Sequence, residues 1–411
     1  MDKVIVKDDR KVLQAMKKIV LGLQHLIAMF GATVLVPILT GFDVSTAIFA
    51  AGAGTLIFHF CTKNKVPVFL GSSFAFIPVI QLIGKTEGLE YAQGGIICAG
   101  LIYVFISFII NRIGVGKILK FFPPQIVGPM VIVIGLNLLP TALNMAKTNI
   151  ILSAVTFSTC LILSNFAKGF IKQLSIIISV IIGYILSLCL NVVDTSFISQ
   201  ASIVAVPKFQ LPAFSISAII TICPVVMAVF MEHLGDITTN SQVVGKNFIK
   251  DPGLNRTLLG DGLATMFAGF IGGPANTTYG ENTGVLAITK NYDPSILRLA
   301  AIFAIILSFV GKIGGFLSSI PQAVMGGISV VLFSMIALVG FKTLKNSHTQ
   351  MNLKNIIIIA SILIIGLGSH LGLNLQIKIT NQVSLSGLSL AALVGILLNI
   401  ILVKYEEHVS K

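Results

Sequence analysis

The sequence predicts an all-α polytopic membrane protein of fourteen segments, built as two inverted repeats of seven. Three observations carry this. Hydrophobic residues make up 55% of the chain and charged residues 10%, whereas a soluble domain carries about 25% charged residues. Apolar runs near the roughly 20 residues that cross a bilayer as a helix recur along the whole chain. With fourteen spans and both termini cytoplasmic, 23 of the 28 Lys and Arg fall on the cytoplasmic side and 5 on the other, the bias that orients membrane helices. The chain also repeats itself weakly. Ser107-Phe-Ile-Ile-Asn-Arg-Ile-Gly114 precedes Phe122-Pro-Pro-Gln-Ile-Val-Gly128, and Ser308-Phe-Val-Gly-Lys-Ile-Gly314 precedes Ile320-Pro-Gln-Ala-Val-Met-Gly326. A repeat of an odd number of spans must be inverted, and inverted repeats with interrupted helices in matching places mark secondary transporters.

In chain order, the first half is expected to hold spans at 21–40, 44–61, 67–84, 91–111, 124–141, 149–166 and 173–191. The third is a poor continuous helix, because Pro67, Gly71, Ser72, Ser73 and Pro78 interrupt it. It reads as a short extended piece followed by a half-helix. A polar, Pro-containing stretch at 194–212 reads as an outer joint. The second half is expected at 213–234, 256–271, 275–289, 295–312, 321–340, 353–371 and 386–404. Its third span, tenth overall, is interrupted by Gly272-Gly-Pro-Ala-Asn-Thr-Thr-Tyr-Gly280 and reads like the third.

The composition excludes several function classes. The net charge of +13 is distributed by topology, so it does not call for a nucleic-acid partner. The five cysteines lie in apolar runs without CxxC spacing, which suits packing rather than metal binding or disulfides. The basic N-terminus leads into a full-length span without a small-residue cleavage site, so no cleavable leader is expected. No nucleotide-binding loop, catalytic triad or metal-ligand spacing is present, which argues against an ATP-driven pump and against an enzyme. No cofactor is implied.

Two carboxylates, Glu232 and Glu281, stand in otherwise membrane-like sequence. An ionisable group at membrane depth is expensive and marks a substrate or proton path. A broken helix leaves free backbone N–H groups at its half-helix N-terminus. Ser73, Phe74 and Gly280 are placed to offer such donors, and Glu281 and Glu232 to accept N–H groups from a ligand. A planar imide with alternating N–H and C=O groups satisfies this set, and its unpaired analogues do not. The alternative for each acid is structural, with Glu281 capping its half-helix and Glu232 pairing with His25 or His233. Asp236 lies one turn from Glu232 on the same helix face. Two carboxylates that close disfavour double ionisation, which is a route to proton coupling; a solvated cytoplasmic Asp236 is the alternative. Gln24 and His25 line the site or tie the first helix to its neighbours, and His25 is a candidate for proton coupling beside Glu232 and Asp236. Asp261 reads as a partner for a basic residue, and Asn276, Thr277 and Thr278 as groups that satisfy opened backbone.

At this point the residues resemble the nucleobase–ascorbate transporter family. Glu281-Asn-Thr-Gly284-Val-Leu-Ala-Ile-Thr289-Lys290 is similar to the family signature, and Gln24-His25, Gly71-Ser-Ser-Phe-Ala-Phe76, Asp251-Pro-Gly253 and Asn276-Thr-Thr-Tyr-Gly-Glu-Asn282 follow it. The resemblance covers nearly the whole chain and is nearest the bacterial uracil-transporting branch. It implies short antiparallel strands in segments 3 and 10, a core domain at 1–117 and 213–315, and a gate domain at 118–212 and 316–411. It further implies an elevator-like homodimer in the bacterial inner membrane, in contact with lipid. Uracil is then held between core and gate and carried in symport with protons rather than sodium. By the same resemblance Glu232 and Glu281 bind the base, the backbone amides of Phe74 and Gly280 meet its carbonyls, Tyr279 packs nearby, and Phe333 stands where relatives offer Tyr. The acid at 281 favours uracil over xanthine or urate. Asp236 replaces a His that some uracil-transporting relatives use for proton handling, and Asp there also occurs in purine carriers. A purine (xanthine or hypoxanthine) permease and an anion transporter or channel of the same fold are the alternatives.

Overall fold

The computed structural model describes residues 2–119, 123–347, 349–373, 375–378 and 384–409. Lys120, Phe122 and Lys411, which enter the charge and repeat arguments, lie outside the described residues. A helix occupies each predicted range. In order these are α1 (Asp2–Thr40), α2 (Val44–Cys61), α3 (Ile77–Thr86), α4 (Leu89–Ile113), α5 (Pro124–Ala146), α6 (Ile150–Phe166) and α7 (Ser175–Cys189). The second half holds α8 (Ile216–Ile222 with Val226–Val244), α9 (Leu254–Ile271), α10 (Gly280–Thr289), α11 (Pro294–Ser308), α12 (Gln322–Asn346), α13 (Leu353–Leu367) and α14 (Gly387–Val409). Among the described residues, six stretches are long and apolar enough to cross a membrane: Ala15–Thr40, Val44–Cys61, Leu89–Ile113, Pro124–Ala146, Ile216–Val244 and Gln322–Lys345. Most of the others are shorter apolar helices. Large apolar side chains such as Phe60, Phe105 and Phe166 lie on the outside, as a lipid solvent permits.

Local chemistry sets the ends. Asp43 caps α2 by accepting Thr46 N–H at 2.8 Å, and Ser215 caps the start of α8 through Ala218 N–H at 3.0 Å. Asp293 does the same for α11, with Pro294 as its first residue. Gly245 and Gly272 end α8 and α9 in the left-handed conformation. One break was not predicted. α8 comes in two pieces, Ile216–Ile222 and Val226–Val244, joined by a tight turn at Cys223–Val225. Pro224 has no N–H to continue the ladder.

Both interrupted spans open as expected into a strand and then a short helix. β1 (Leu70–Ser72) precedes α3, and β2 (Asn276–Thr278) precedes α10. The strands pair antiparallel, with Leu70 opposite Thr278, Gly71 opposite Thr277 and Ser72 opposite Asn276. A second hairpin, β3 (Gln376–Lys378) with β4 (Ser384–Ser386), lies between α13 and α14 and was not predicted. The 194–212 joint carries a short helix, Ser196–Gln200, and pairs Val204 with Val310.

The helices pack in two sets. α9 lies along α4 and α2, and α11 along α2 and α1. α12 lies along α5 and α6, while α13 packs on α14 and α5. The α4–α9 crossing depends on two glycines. A Cβ on Gly100 would sit 2.7 Å from Gly262 O, and one on Gly262 would sit 2.9 Å from Gly100 O. Close backbone approach through small residues is how membrane helices gain packing energy. Gly100→Leu is expected to cost about 1–3 kcal/mol through overpacking, read as a lower thermal midpoint of the detergent-solubilised protein against a surface change such as Phe108→Leu.

Candidate functional site

The paired strands solve a problem of backbone chemistry. Each interrupted span leaves N–H and C=O groups that lipid cannot satisfy. The two spans satisfy each other, and the pairing continues past the strands through Ser73 N–H to Ala275 O at 2.8 Å and Tyr279 N–H to Phe69 O at 3.0 Å. Side chains complete it. Thr55 Oγ1 accepts Leu70 N–H at 2.9 Å, Asn276 Nδ2 donates to Ala50 O at 3.0 Å, and Thr265 Oγ1 donates to Asn276 O at 2.9 Å. Asn240 Nδ2 donates to Pro67 O at 3.0 Å. The crossing is thereby fixed to α2, α8 and α9.

At this crossing lies a cavity of about 200 Å³. It is smaller than the roughly 300–1,000 Å³ of drug-sized ligand sites, which suits a single small ring. One wall is polar, with Glu232 and Asp236 from α8, Thr277 and Thr278 from β2, then Tyr279, Gly280 and Glu281 at the start of α10, and Phe74 just after β1. The facing wall is apolar, made by Leu332, Met335, Ile336 and Val339 of α12. Their spacing is one helical stripe. Gly280 and Glu281 open α10, where the first N–H groups have no partner inside the helix.

The structure therefore brings six predicted residues to one cavity: Glu232, Glu281, Asp236, Phe74, Gly280 and Tyr279. Asp236 is not a solvated terminal acid. It accepts Thr278 Oγ1–H at 2.7 Å. Tyr279 is mostly behind the cavity; its ring covers Gly71, where a Cβ would lie 2.4 Å from it, and its hydroxyl donates to Ser72 O at 2.9 Å.

Two expectations are corrected, and His25 takes the tying role that the sequence allowed. Ser73 does not offer its N–H to a ligand, because Ala275 O already accepts it, and the residue is fully buried outside the lining. Phe333 is fully buried and does not line the cavity; its ring meets Phe74 edge-on at 6.4 Å. His25 is buried beside α10, with Asn282 Nδ2 donating to His25 O at 3.0 Å and lying 3.2 Å from Nδ1. It ties α1 to the half-helix and stands off the lining. Sequence reasoning missed the α12 wall, although the apolar spacing 332, 335, 336, 339 is visible in the chain. Among the described residues no group of three or more His, Cys, Asp and Glu could hold a metal ion.

The model of the permease family matches residues 16–375. The chain belongs to this family, the nucleobase–ascorbate transporters. It is 42% identical over 405 residues to a probable uracil permease of Haemophilus influenzae, covering 96% of each chain. It is 40% identical to the uracil permease of Bacillus subtilis, covering 94% of this chain and 93% of the relative. The uracil permease of Escherichia coli is 41% identical, with 94% and 91% covered. Among solved structures, the transmembrane domain of the cyanobacterial bicarbonate transporter BicA aligns with a TM-score of 0.61 at 15% identity over 94% of this chain and 97% of that one. SLC26A9 aligns at 0.70 with 11% identity over 95% of this chain and 66% of that one. These two share the fold. The protein is thus a multi-pass membrane permease.

Tyr279→Phe removes the hydroxyl from Ser72 O and keeps the ring over Gly71. It is expected to lower stability by about 0.5–1.5 kcal/mol, seen as a small drop in thermal midpoint. Gly71→Val displaces the ring and is expected to lower it further.

Proposed function

We propose that this permease imports uracil in symport with protons across a bacterial cytoplasmic membrane, with both termini on the cytoplasmic side. The observation that carries the reading is the meeting of Glu232 and Glu281 in one small cavity, beside the opened backbone at Phe74 and Gly280. Uracil alternates N–H and C=O around a planar ring. The carboxylates accept its N–H groups, and half-helix amides donate to its carbonyls. A buried polar group left unpaired by the wrong ligand gives selectivity. Relatives at 40–43% identity that carry the name uracil permease support the substrate.

The proposed proton path runs through Asp236, which lines the same cavity one turn from Glu232 and is anchored by Thr278. The packing sets support a core at 1–117 and 213–315 that carries the polar wall, and a gate at 118–212 and 316–411 that carries the apolar one. A homodimer would brace the gate while the core moves. The fold likeness to a bicarbonate transporter does not extend to an anion as cargo here, since Glu281 would repel it at the half-helix N-terminus.

Glu281→Gln and Glu232→Ala are each expected to reduce uracil uptake by about 10²-fold or more at unchanged expression. Saturable uptake at normal rates by both variants would refute the site. In vesicles with imposed gradients, uptake is expected to follow the proton gradient and to collapse with a protonophore; uptake that follows sodium instead overturns proton coupling. Competition by unlabelled bases separates uracil from xanthine or hypoxanthine.

A further inference from the structure

His233 follows Glu232 in α8 but faces away from the cavity, because successive helical residues point about 100° apart. The imidazole and Asp261 of α9 face each other, both fully buried. Nδ1 lies 3.1 Å from Asp261 Oδ2, and Nε2 lies 3.0 Å from Thr257 Oγ1. Thr257 donates its one hydroxyl hydrogen to Leu254 O at 3.0 Å. Its oxygen is left to accept, so Nε2 carries the hydrogen. A neutral ring with that hydrogen would then turn the Nδ1 lone pair toward the carboxylate. The Nδ1–Oδ2 contact is close but bent, and neither atom meets hydrogen-bond geometry with any partner. Its attraction is therefore electrostatic and needs a proton on one of the two groups.

Burial leads to the same place. An ionised Asp261 beside a neutral His233 would leave one uncompensated charge sealed at membrane depth, a cost of several kcal/mol. Among the described residues, the other groups within electrostatic reach include Glu232 and Asp236 on α8 and Tyr103 on α4, none of which is cationic. The Tyr103 hydroxyl is buried without a hydrogen-bond partner.

We propose that His233 and Asp261 hold one proton between them as a net-neutral pair, and that this pair positions Glu232 from behind. The role assigned to Glu232 rests on the uracil reading above; the proton assignment does not. Both residues are positioning groups, since neither lines the cavity. The pair locks the α8 turn to α9, and Glu232, the residue just before His233 in that turn, is the one proposed to meet the ligand.

Two measurements test this. The chain has six histidines, so selective ¹⁵N-His labelling in nanodiscs gives a readable spectrum, with His233→Gln assigning the signal. At pH 7 the His233 ring is expected to be protonated at Nε2, either alone opposite a protonated Asp261 or as the imidazolium. A neutral ring protonated at Nδ1, or a neutral ring beside an ionised Asp261 carboxylate in a ¹³C-Asp-labelled sample, would overturn the proposal. The second measurement is the dissociation constant for uracil. Asp261→Asn keeps a donor opposite Nδ1 and is expected to stay within about threefold of the parent, while Asp261→Leu weakens binding about tenfold or more. Equal binding by Asp261→Leu overturns the positioning role. If Asp261→Leu fails to fold, loss of binding in Asp261→Asn at an unchanged thermal midpoint overturns it instead. If the parent binds no uracil, the substrate reading fails, and the spectrum still decides the proton.

Discussion

The pairing of two three-residue strands, Leu70–Ser72 with Asn276–Thr278, is the constraint on which the rest of the architecture depends. A chain inside a bilayer must satisfy its backbone within itself. A helix that stops halfway breaks this rule, and a single broken helix has no good remedy. Two broken helices that cross supply each other's missing partners. The price is a fixed crossing point that neighbouring side chains must hold, and Thr55, Asn240, Thr265 and Asn276 are the groups that hold it. The return is a pair of short helices, α3 and α10, that begin near one another. Phe74, just ahead of α3, and Gly280 and Glu281, which open α10, line a shared space, and that space is the cavity.

The cavity is asymmetric because its two walls come from different packing sets. The polar wall is built from the strand crossing and α8, and the facing wall is a plain apolar stripe of α12. A ligand held by hydrogen bonds to one wall meets only dispersion and shape on the other. Sliding past such a wall breaks no directional bond. This is the physical basis on which the proposed core could carry a base past the proposed gate, with the binding groups travelling as one body.

The sequence was most legible where its chemistry is unusual for a membrane. Pro67, Gly71 and Pro78 signal the first break, Gly272 to Gly280 the second, and the isolated acids Glu232 and Glu281 the site between them. Their convergence was less legible, since strand pairing joins residues two hundred positions apart and leaves only a weak internal repeat as its trace. Ser73 was misread because residue type does not tell whether a backbone amide near a break is free or paired; the register decides it, through Ala275 O. Phe333 was misread for a related reason. A helix face turns by about 100° per residue, and the chain alone does not fix whether 333 or its neighbours 332 and 336 meet the cavity. The hairpin after α13 was hidden because Gln376–Lys378 and Ser384–Ser386 are too short to show alternation.

Charge then links the fold to its partner ion. Glu232, Asp236 and Glu281 open on the cavity, and no Lys or Arg stands among its described lining residues. Asp261 has His233 beside it, but the three cavity acids have no such base. Uracil, the proposed cargo, is neutral and brings no compensation. If these acids travel with the base as charges, each adds an electrical cost of about 2.3 kcal/mol per 100 mV for a full crossing, besides the cost of leaving water. A cation that enters with the base removes both costs, and a proton does so without needing a built coordination sphere. The proposed proton symport is thus supported by an imbalance in the cavity itself: among its described lining residues stand three acids and no Lys, Arg or His, and the gradient would supply the difference.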